Sequence, residues 1–135
     1  AVLPAMVKQR YGRIVNISGR GGRQPTPAHL PGCSANAAVH VLTKGLSDIY
    51  AKHNIRINAV APGPIESERF DKIAASTDAV TAGGAVSTRA PHIVPIGRKG
   101  LPQEIADAVT YLLSDRAGYI TGTIQAVDGG GTVSI

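Results

Sequence analysis

A helix followed closely by an apolar strand constrains this fold more than any other feature of the sequence. The helix is predicted at residues 34–53, because apolar residues recur there at the spacing of a single helical face: Ala35, Ala38, Val39, Leu42, Leu46, Ile49 and Tyr50. The Ser34 hydroxyl is suited to cap the first turn, and Lys52 and His53 place cations near the end of the helix dipole. Asn54 is suited to the left-handed conformation that ends a helix.

The residues after Asn54 predict a buried parallel strand. Residues 55–61 are apolar enough to be covered on both faces, as parallel strands are, and Pro62, Gly63 and Pro64 end the run. A helix that leads into such a strand after so short a turn is typical of a βαβ unit. The segment therefore predicts an α/β fold with a parallel sheet.

The remaining elements lie on both sides of this unit. They are predicted, in chain order, as the tail of a helix at 1–10, a strand at 12–18, a short helix at 68–75, a helix from Pro102 and a strand within 119–128. The region 66–100 has no clear period beyond that short helix, and so long an irregular stretch is typical of a lid or a disordered segment. No repeat or linker divides the chain, so we expect one domain.

Composition narrows the classes of function. A length of 135 residues suits one domain, and a hydrophobic fraction of 43% is enough to build a core. We find no apolar run long enough to span a bilayer and no recognisable signal peptide, and the single cysteine, Cys33, suits a reducing cytoplasm. The net charge of +5 comes from scattered basic residues, which are typical of a solvated surface. We therefore expect a cytoplasmic protein with neither a membrane nor a nucleic-acid partner.

The glycine-rich run at 19–23 allows two functional interpretations, and neither is favoured. It is a poor dinucleotide loop, because Pro25 and Pro27 follow where a helix N-terminus should hold the phosphates. It is also a poor nucleic-acid segment, because no aromatic residue accompanies its arginines. We expect a flexible loop after the first strand.

Serine, histidine and cysteine side chains form a further candidate site. Four of them would lie near one another in this fold: Ser18, His29, Cys33 and Ser34. A Cys–His or Ser–His pair can activate a nucleophile, but no third group orients the histidine, so we expect Cys33 to be a small buried residue. His40 and His92 lack metal-ligand spacing with any cysteine or carboxylate, so no metal site is predicted and both are expected to be structural or exposed.

Four blocks of sequence resemble a known family. The blocks are GRIVNIS (12–18), LTKGLSDIYAKHNIRINAVAPGPIES (42–67), PIGRKGLPQEIADAVTYLLSD (95–115) and YITGTIQAVDGG (119–130). They resemble the successive blocks of the short-chain dehydrogenases and reductases, in that family's order. The resemblance implies a Rossmann-like doubly wound parallel sheet, of which residues 1–135 would form the C-terminal part, three strands with flanking helices. It also implies that 66–100 is a lid-like insertion over the substrate.

The resemblance implies a chemistry as well, and three positions depart from it. The family transfers hydride between a nicotinamide cofactor, NAD or NADP, and a carbonyl or alcohol. Its Ser position falls on Gly19, beside Ser18, its Tyr position on Gly32 and its Lys position on Asn36. The tyrosine moves the hydroxyl proton, the lysine lowers the tyrosine's pKa and the serine positions the carbonyl oxygen. Glycine can do none of this, and neutral Asn36 could hold a ribose hydroxyl but could not lower the pKa of a phenol.

A nicotinamide site is the other implication of the resemblance. It would be lined by Ile17, at the end of the first strand, and by Pro62, Gly63, Ile65 and Ser67 in the loop after the second strand. The family's glycine-rich dinucleotide fingerprint would lie upstream, together with the residue that selects NAD or NADP. We expect the sequence to be the C-terminal part of a longer chain. The alternative is a naturally short chain that a partner completes.

These observations support three hypotheses about function. The leading one is a non-catalytic family member that acts as an assembly subunit, in a homo- or hetero-oligomer. The resemblance implies that it would associate through helix 34–53 and the helix–strand unit 102–128. The alternatives are a functional NAD(P)-dependent oxidoreductase with an atypical active site and an unknown small-molecule substrate, or a nicotinamide-binding module without turnover.

Overall fold

The chain is an α/β structure built on a parallel sheet, as predicted. A computed structural model describes residues 1–68, 72 and 94–133. Over these residues the regular elements are α1 Leu3–Gln9, β1 Gly12–Ile17, α2 Leu30–Tyr50, β2 Ile55–Pro62, α3 Pro102–Leu113 and β3 Ile124–Val127. Short 3-10 turns are described at Arg20–Gly22, Pro27–His29, Ala51–His53 and Asp115–Ala117.

Strand β2 is the centre of the described sheet. It pairs in parallel with β1 on one side and with β3 on the other, so that Ile14 is opposite Ile57 and Ala61 is opposite Ala126. Every residue of β2 before Pro62 is buried. The strand predicted at 55–61 is therefore confirmed, and its apolar run is covered on both faces because helices and neighbouring strands enclose it.

Helix α2 begins earlier than the sequence analysis predicted. It starts at Leu30 with Pro31 in its first turn, so Ser34 lies inside the helix and does not cap it. Proline is well suited to this position, because its fixed φ is helical and the missing N–H would have no helical partner there. The helix ends at Tyr50, a 3-10 turn follows, and Asn54 adopts the predicted left-handed conformation with φ of 60°.

The face that α2 turns toward the sheet is polar. Its buried residues are Cys33, His40, Thr43 and Ser47. By contrast, large apolar side chains of the same helix are exposed, namely Val41 (73%), Leu42 (58%) and Ile49 (57%). The apolar face that the sequence periodicity marks is thus not the face that covers the sheet.

Hydrogen bonds explain how a polar helix face can be buried on β1. Asn16 Nδ2 donates to Thr43 Oγ1 at 3.0 Å, and the Thr43 hydroxyl donates to the Val39 carbonyl at 2.7 Å. One strand period further on, Ser18 Oγ lies 2.9 Å from His40 Nε2. Because the buried groups are paired, their desolvation is offset. These pairs also fix the position of α2 along the strand.

Helix α3 is anchored to the sheet by a buried arginine. Arg56, on β2, donates from Nη1 to the Leu112 carbonyl and from Nη2 to the Ser114 carbonyl, both at 2.8 Å. These carbonyls lie at the C-terminal end of the helix, where the Leu112 carbonyl has no helical N–H partner and the Ser114 carbonyl accepts only from Ala117 N, at 3.2 Å. The guanidinium therefore takes the place of a helix cap.

Strand β3 is shorter than the strand predicted within 119–128. Before Ile124, the edge of β2 is paired partly by a side chain, since Ile57 N donates to Thr121 Oγ1 at 3.1 Å, and partly by backbone bonds with Gly122 and Thr123. Gly122 then adopts φ of +73°, which is incompatible with an extended strand. The regular ladder consequently starts only after this turn.

The lid-like region 66–100 and the short helix predicted at 68–75 fall largely outside the described residues. At its two ends, Ile65 and Gly100 form an isolated parallel bridge, and Glu66 N donates to the Gly100 carbonyl at 2.9 Å. The two described ends of the region therefore lie side by side.

Candidate functional site

The candidate site lies where the three described strands end. The parallel register sets Ile17 beside Val60 and Pro62 beside Val127, so the carboxyl ends of β1, β2 and β3 meet at one edge of the sheet. In open parallel sheets, ligands bind outside this edge. The turn after β1, the loop after β2 and the segment after β3 all begin here.

Two of the departures from the family pattern lie in contact with each other. A Cβ atom built on Gly19 would lie 2.8 Å from Asn36 Nδ2. The structure thus brings Gly19 and Asn36, the positions matched to the family's Ser and Lys, into contact. The Asn36 amide fills the space that a side chain at 19 would need.

The third departure, Gly32, is covered by a histidine. A Cβ atom built on Gly32 would lie 2.0 Å from His29 Nε2, well inside contact distance. No side chain can be accommodated at this position unless the imidazole moves. His29 is brought here because α2 starts at Leu30, which places it immediately before the first turn.

Ser18 is paired with His40, a partner that the sequence analysis did not identify. Ser18 Oγ donates to the Val60 carbonyl at 3.1 Å and lies 2.9 Å from His40 Nε2. Burial lowers the pKa of His40, and the positive charge of Arg23 lowers it further. His40 was expected to be either structural or exposed. It is buried, so the structural alternative applies.

Four side chains were predicted to lie near one another: Ser18, His29, Cys33 and Ser34. In the described part of the chain no hydrogen bond joins any two of them. Cys33 is buried, as expected, and its Sγ would lie 2.8 Å from a Cβ atom built on Gly21. The thiol therefore packs beneath the 3-10 turn that follows β1. Residues 16 and 18 share one side of β1, a period-two signal that could have pointed to His40 as the partner.

The turn after β1 is held against α2 more closely than a flexible loop would be. The sequence predicted a flexible loop at 19–23. Instead, Arg20–Gly22 forms a 3-10 turn, because its glycines let the backbone approach the helix. A Cβ atom on Gly22 would lie 2.5 Å from His40 Cε1 and 2.9 Å from Ala37 N. Larger residues would push the turn off the helix.

The loop predicted to hold nicotinamide follows β2. Gly63 N donates to the Val127 carbonyl at 3.0 Å, and a Cβ atom on Gly63 would lie 2.6 Å from Asp128 Cβ. The close approach that Gly63 permits in the structure is therefore to the segment after β3. Ser67 Oγ donates to the Ile65 carbonyl at 3.4 Å. Ile17, the other predicted cofactor residue, has an exposed side chain at the end of β1.

A small cavity adjoins this loop. It is bounded by Pro64 and Ile65 of the loop, by Val94 and Ile96 before α3, and by Val127 at the end of β3. Its rim carries charge, since Arg98 donates to the Glu104 carboxylate at 2.7 and 2.8 Å. This hydrogen bond is the main reason that the pKa of Glu104 is lowered to about 2.

The carboxylate of Asp128 organises the segment after β3. It accepts from Gly130 N at 3.1 Å and from Thr132 N at 2.7 Å. Burial raises the pKa of Asp128, but hydrogen bonds from Thr132 and Gly130 and the nearby Arg20 outweigh it, so the pKa is lowered overall. The aspartate is thus ionised and engaged with backbone N–H groups, and it ties the segment into a turn.

Metal and membrane sites are not supported within the described ranges. Among residues 1–68, 72 and 94–133, no group of histidine, cysteine, aspartate and glutamate side chains could hold a metal ion. Within the same residues, none of the helices is both long and apolar enough to cross a bilayer.

The parallel sheet, the long helix between β1 and β2 and the loops at the carboxyl edge define a Rossmann-like α/β protein. Comparison with known proteins identifies the family. The family model described as Enoyl-(Acyl carrier protein) reductase matches residues 1–132. The chain belongs to the short-chain dehydrogenase/reductase family.

Curated relatives are similar over nearly the whole chain. The 3-oxoacyl-(acyl-carrier-protein) reductase FabG of Rickettsia felis is 38% identical over 93% of this chain and 48% of its own length. The protein named inactive 2-(S)-hydroxypropyl-CoM dehydrogenase 2, from Xanthobacter autotrophicus, is 36% identical over 98% of this chain and 56% of its own length. The chain therefore spans about half the length of the curated relatives it matches.

Solved structures confirm the fold. Levodione reductase superposes with a TM-score of 0.86 and 31% identity, over 99% of this chain and 52% of that structure. YwfH, described as an NADPH-dependent reductase involved in bacilysin biosynthesis, superposes with a TM-score of 0.78 and 29% identity, over 96% of this chain and 50% of that structure.

Proposed function

We propose that this chain is a family member without the family's proton-transfer chemistry, and that it acts as an assembly subunit. The proposal rests on the residues found at the three positions that depart from the family pattern, namely Gly19, Gly32 and Asn36. Gly19 is occupied by the Asn36 amide, and Gly32 is covered by His29. No phenol, ammonium or hydroxyl projects from the positions where the family chemistry needs them.

The chemical consequence is large. Hydride transfer to a carbonyl leaves an alkoxide that must take up a proton, and general acid–base catalysis typically contributes ~10²–10⁴-fold to such a rate. Glycine at position 32 offers no proton donor, and the neutral Asn36 amide cannot shift a neighbouring pKa as a cation does. A relative that carries the word inactive in its name fits the same interpretation.

The assembly part of the proposal is supported by exposed apolar surface. On α2 the side chains of Val41, Leu42 and Ile49 are exposed and do not pack on the sheet. At the other end of the described chain, large apolar side chains are exposed around α3: Leu101, Tyr111, Leu113 and Tyr119. Such patches are typical of interfaces. Association through helix 34–53 and the unit 102–128, as a homo- or hetero-oligomer, would cover them.

The test combines assembly with turnover. We expect light scattering after size-exclusion chromatography to show an oligomer, and Val41→Asp to reduce its mass. Ala5→Asp is the matched control, since it also adds one carboxylate at an exposed helical position, in α1 and outside both proposed association elements. Nicotinamide absorbance should stay constant with a panel of carbonyls and alcohols. A monomeric protein, or one with turnover, would contradict the proposal.

A functional oxidoreductase with an atypical site is the second candidate, and the position of His29 favours it. The imidazole lies where the family's tyrosine would begin, and a histidine can donate a proton near neutral pH without a lysine beside it. This candidate predicts turnover that His29→Asn abolishes and that His53→Asn, a change in the turn after α2, leaves intact.

A nicotinamide-binding module without turnover is the third candidate. It is favoured by the loop at 62–67, which lies beside a cavity at the sheet edge. Ile17, Pro62, Gly63, Ile65 and Ser67 would hold NAD or NADP, and the NADPH dependence described for YwfH makes the phosphorylated form the first to test. A rise in melting temperature with NADP(H) or NAD(H), without absorbance change, would support it through mass action.

The proposal extends to the organisation of the chain. Residues 1–135 would form the C-terminal part of one Rossmann-like domain, and 66–100 would close over a small-molecule substrate. We place the protein in the cytoplasm, since the free cysteine is buried and suits a reducing compartment.

A further inference from the structure

His40 is a buried imidazole held between a strand end and a turn. Its Nε2 atom is hydrogen-bonded to Ser18 Oγ, which also reaches the Val60 carbonyl. Its other side is packed against the turn after β1, where a Cβ atom on Gly22 would lie 2.7 Å from His40 Nδ1. The ring is 9% exposed, so a charge on it would be poorly solvated.

The same turn holds the segment that follows β3. Arg20 Nη1 donates to the Gly131 carbonyl at 3.3 Å, and Val133 N donates to Gln24 Oε1 at 2.9 Å. Arg20 also acts electrostatically on Asp128, whose carboxylate shapes the segment. The turn therefore touches α2 on one side and residues 129–133 on the other.

The surroundings of His40 oppose its protonation. Within the described residues, Arg23 on the turn is the charged group that acts on the imidazole, while β1 and β2 present the neutral Ser18 hydroxyl and Val60 carbonyl. Burial first, and Arg23 second, lower the pKa of His40 below its usual value of 6.5. The neutral ring is thus favoured in the folded state.

We propose that residues 19–24 form an acid-sensitive clasp: neutral His40 keeps it closed on α2, and protonation of His40 releases it from α2 and from residues 131–133. An imidazolium beside Arg23 can gain water only if the turn moves away, because α2 and β1 are fixed by the Asn16–Thr43 pair. When the turn moves, the bonds from Arg20 and to Gln24 are lost. The inference does not depend on the proposed function.

The direction with pH follows from the lowered pKa. Since the folded state binds the proton more weakly than the open state, closure is fully favoured above pH 6.5 and is lost as the pH falls through the lowered value. Each unit by which the pKa is lowered corresponds to about a tenfold change in the closing equilibrium.

Hydrogen exchange measured by mass spectrometry tests the clasp on the whole chain. After correction for intrinsic rates, exchange in peptides from 19–24 and at Val133 should rise severalfold between pH 7.5 and 5, because the pKa of His40 is lowered in the closed state. Peptides from 55–61 should not change. His40→Gln, which can still hydrogen-bond Ser18 but cannot be protonated, should abolish the rise.

Two further variants keep the test decisive if His40→Gln folds poorly. Arg23→Gln removes an exposed cation and should shift the midpoint of the rise to higher pH. His53→Gln, a histidine in the turn after α2, should leave the midpoint unchanged. The clasp is refuted if the rise persists in His40→Gln, if Arg23→Gln leaves the midpoint in place, or if β2 peptides lose protection together with the clasp.

Discussion

Replacement of Arg56 by methionine should destabilise the fold strongly, although the residue is far from the candidate site. Arg56 is 6% exposed and makes two short hydrogen bonds, to the carbonyls of Leu112 and Ser114, and a longer one of 3.4 Å to Ile120. Methionine has similar length and is apolar, so the change removes the donors while it keeps most of the packing.

The magnitude follows from these bonds. A hydrogen bond from a charged donor contributes about 1.5–3 kcal/mol, so the two short bonds together contribute about 3–6 kcal/mol. Part of this is offset, because the variant no longer has to bury a guanidinium. We therefore expect a net loss of about 3 kcal/mol in the free energy of unfolding, because the Leu112 carbonyl is left without a donor and the Ser114 carbonyl keeps only its bond from Ala117 N.

Urea denaturation followed by circular dichroism measures this loss. Arg116→Met is the matched control, because Arg116 is exposed in the turn after α3 and should tolerate the change. Arg56→Lys should fall between wild type and methionine, since a single ammonium cannot reach two carbonyls with the fork geometry of a guanidinium. If Arg56→Met and Arg116→Met lose equally little stability, the cap provided by Arg56 is not what holds α3.

Three further predictions concern α2, the turn after β1 and α3. In the Val41→Asp background, which limits association, Gly45→Ala should stabilise the protein by ~0.5–1 kcal/mol, because nothing lies within 4 Å of the added methyl group and alanine favours the helix. Gly22→Ala should destabilise it, because the methyl group meets His40, and urea midpoints that change in the same direction for both variants would contradict this. For Glu104, stabilisation by its lowered pKa should be present above pH 4.5 and lost as the pH falls toward about 2. Glu104→Gln should flatten that part of the stability profile, and an unchanged acid slope would contradict the assignment.

The order of elements could be predicted because it depends on signals that are local in sequence. The unbroken apolar run of β2 can only be satisfied by cover on both faces, and Asn54 marks the end of the preceding helix by its own backbone preference. The start of α2 was misplaced because Pro31 is compatible with a first helical turn as well as with a loop.

Which face of α2 packs against the sheet could not be predicted from the hydrophobic periodicity. A hydrophobic period marks a helix face without saying what lies against it, and here the sheet takes the polar face through the pairs Asn16–Thr43 and Ser18–His40. Polar pairs of this kind depend on the relative position of a strand and a helix. That position is a tertiary property, so neither segment reveals it alone.

The departures from the family pattern are better explained as one repacked site than as three separate losses. Gly19 leaves room for the Asn36 amide, and Gly32 leaves room for the His29 imidazole. A side chain at 19 would require the Asn36 amide to move, and a side chain at 32 would require the His29 imidazole to move. Each glycine is therefore matched to a neighbour that fills its space, and a side chain restored at 19 or 32 needs that neighbour to be repositioned before it can restore any chemistry.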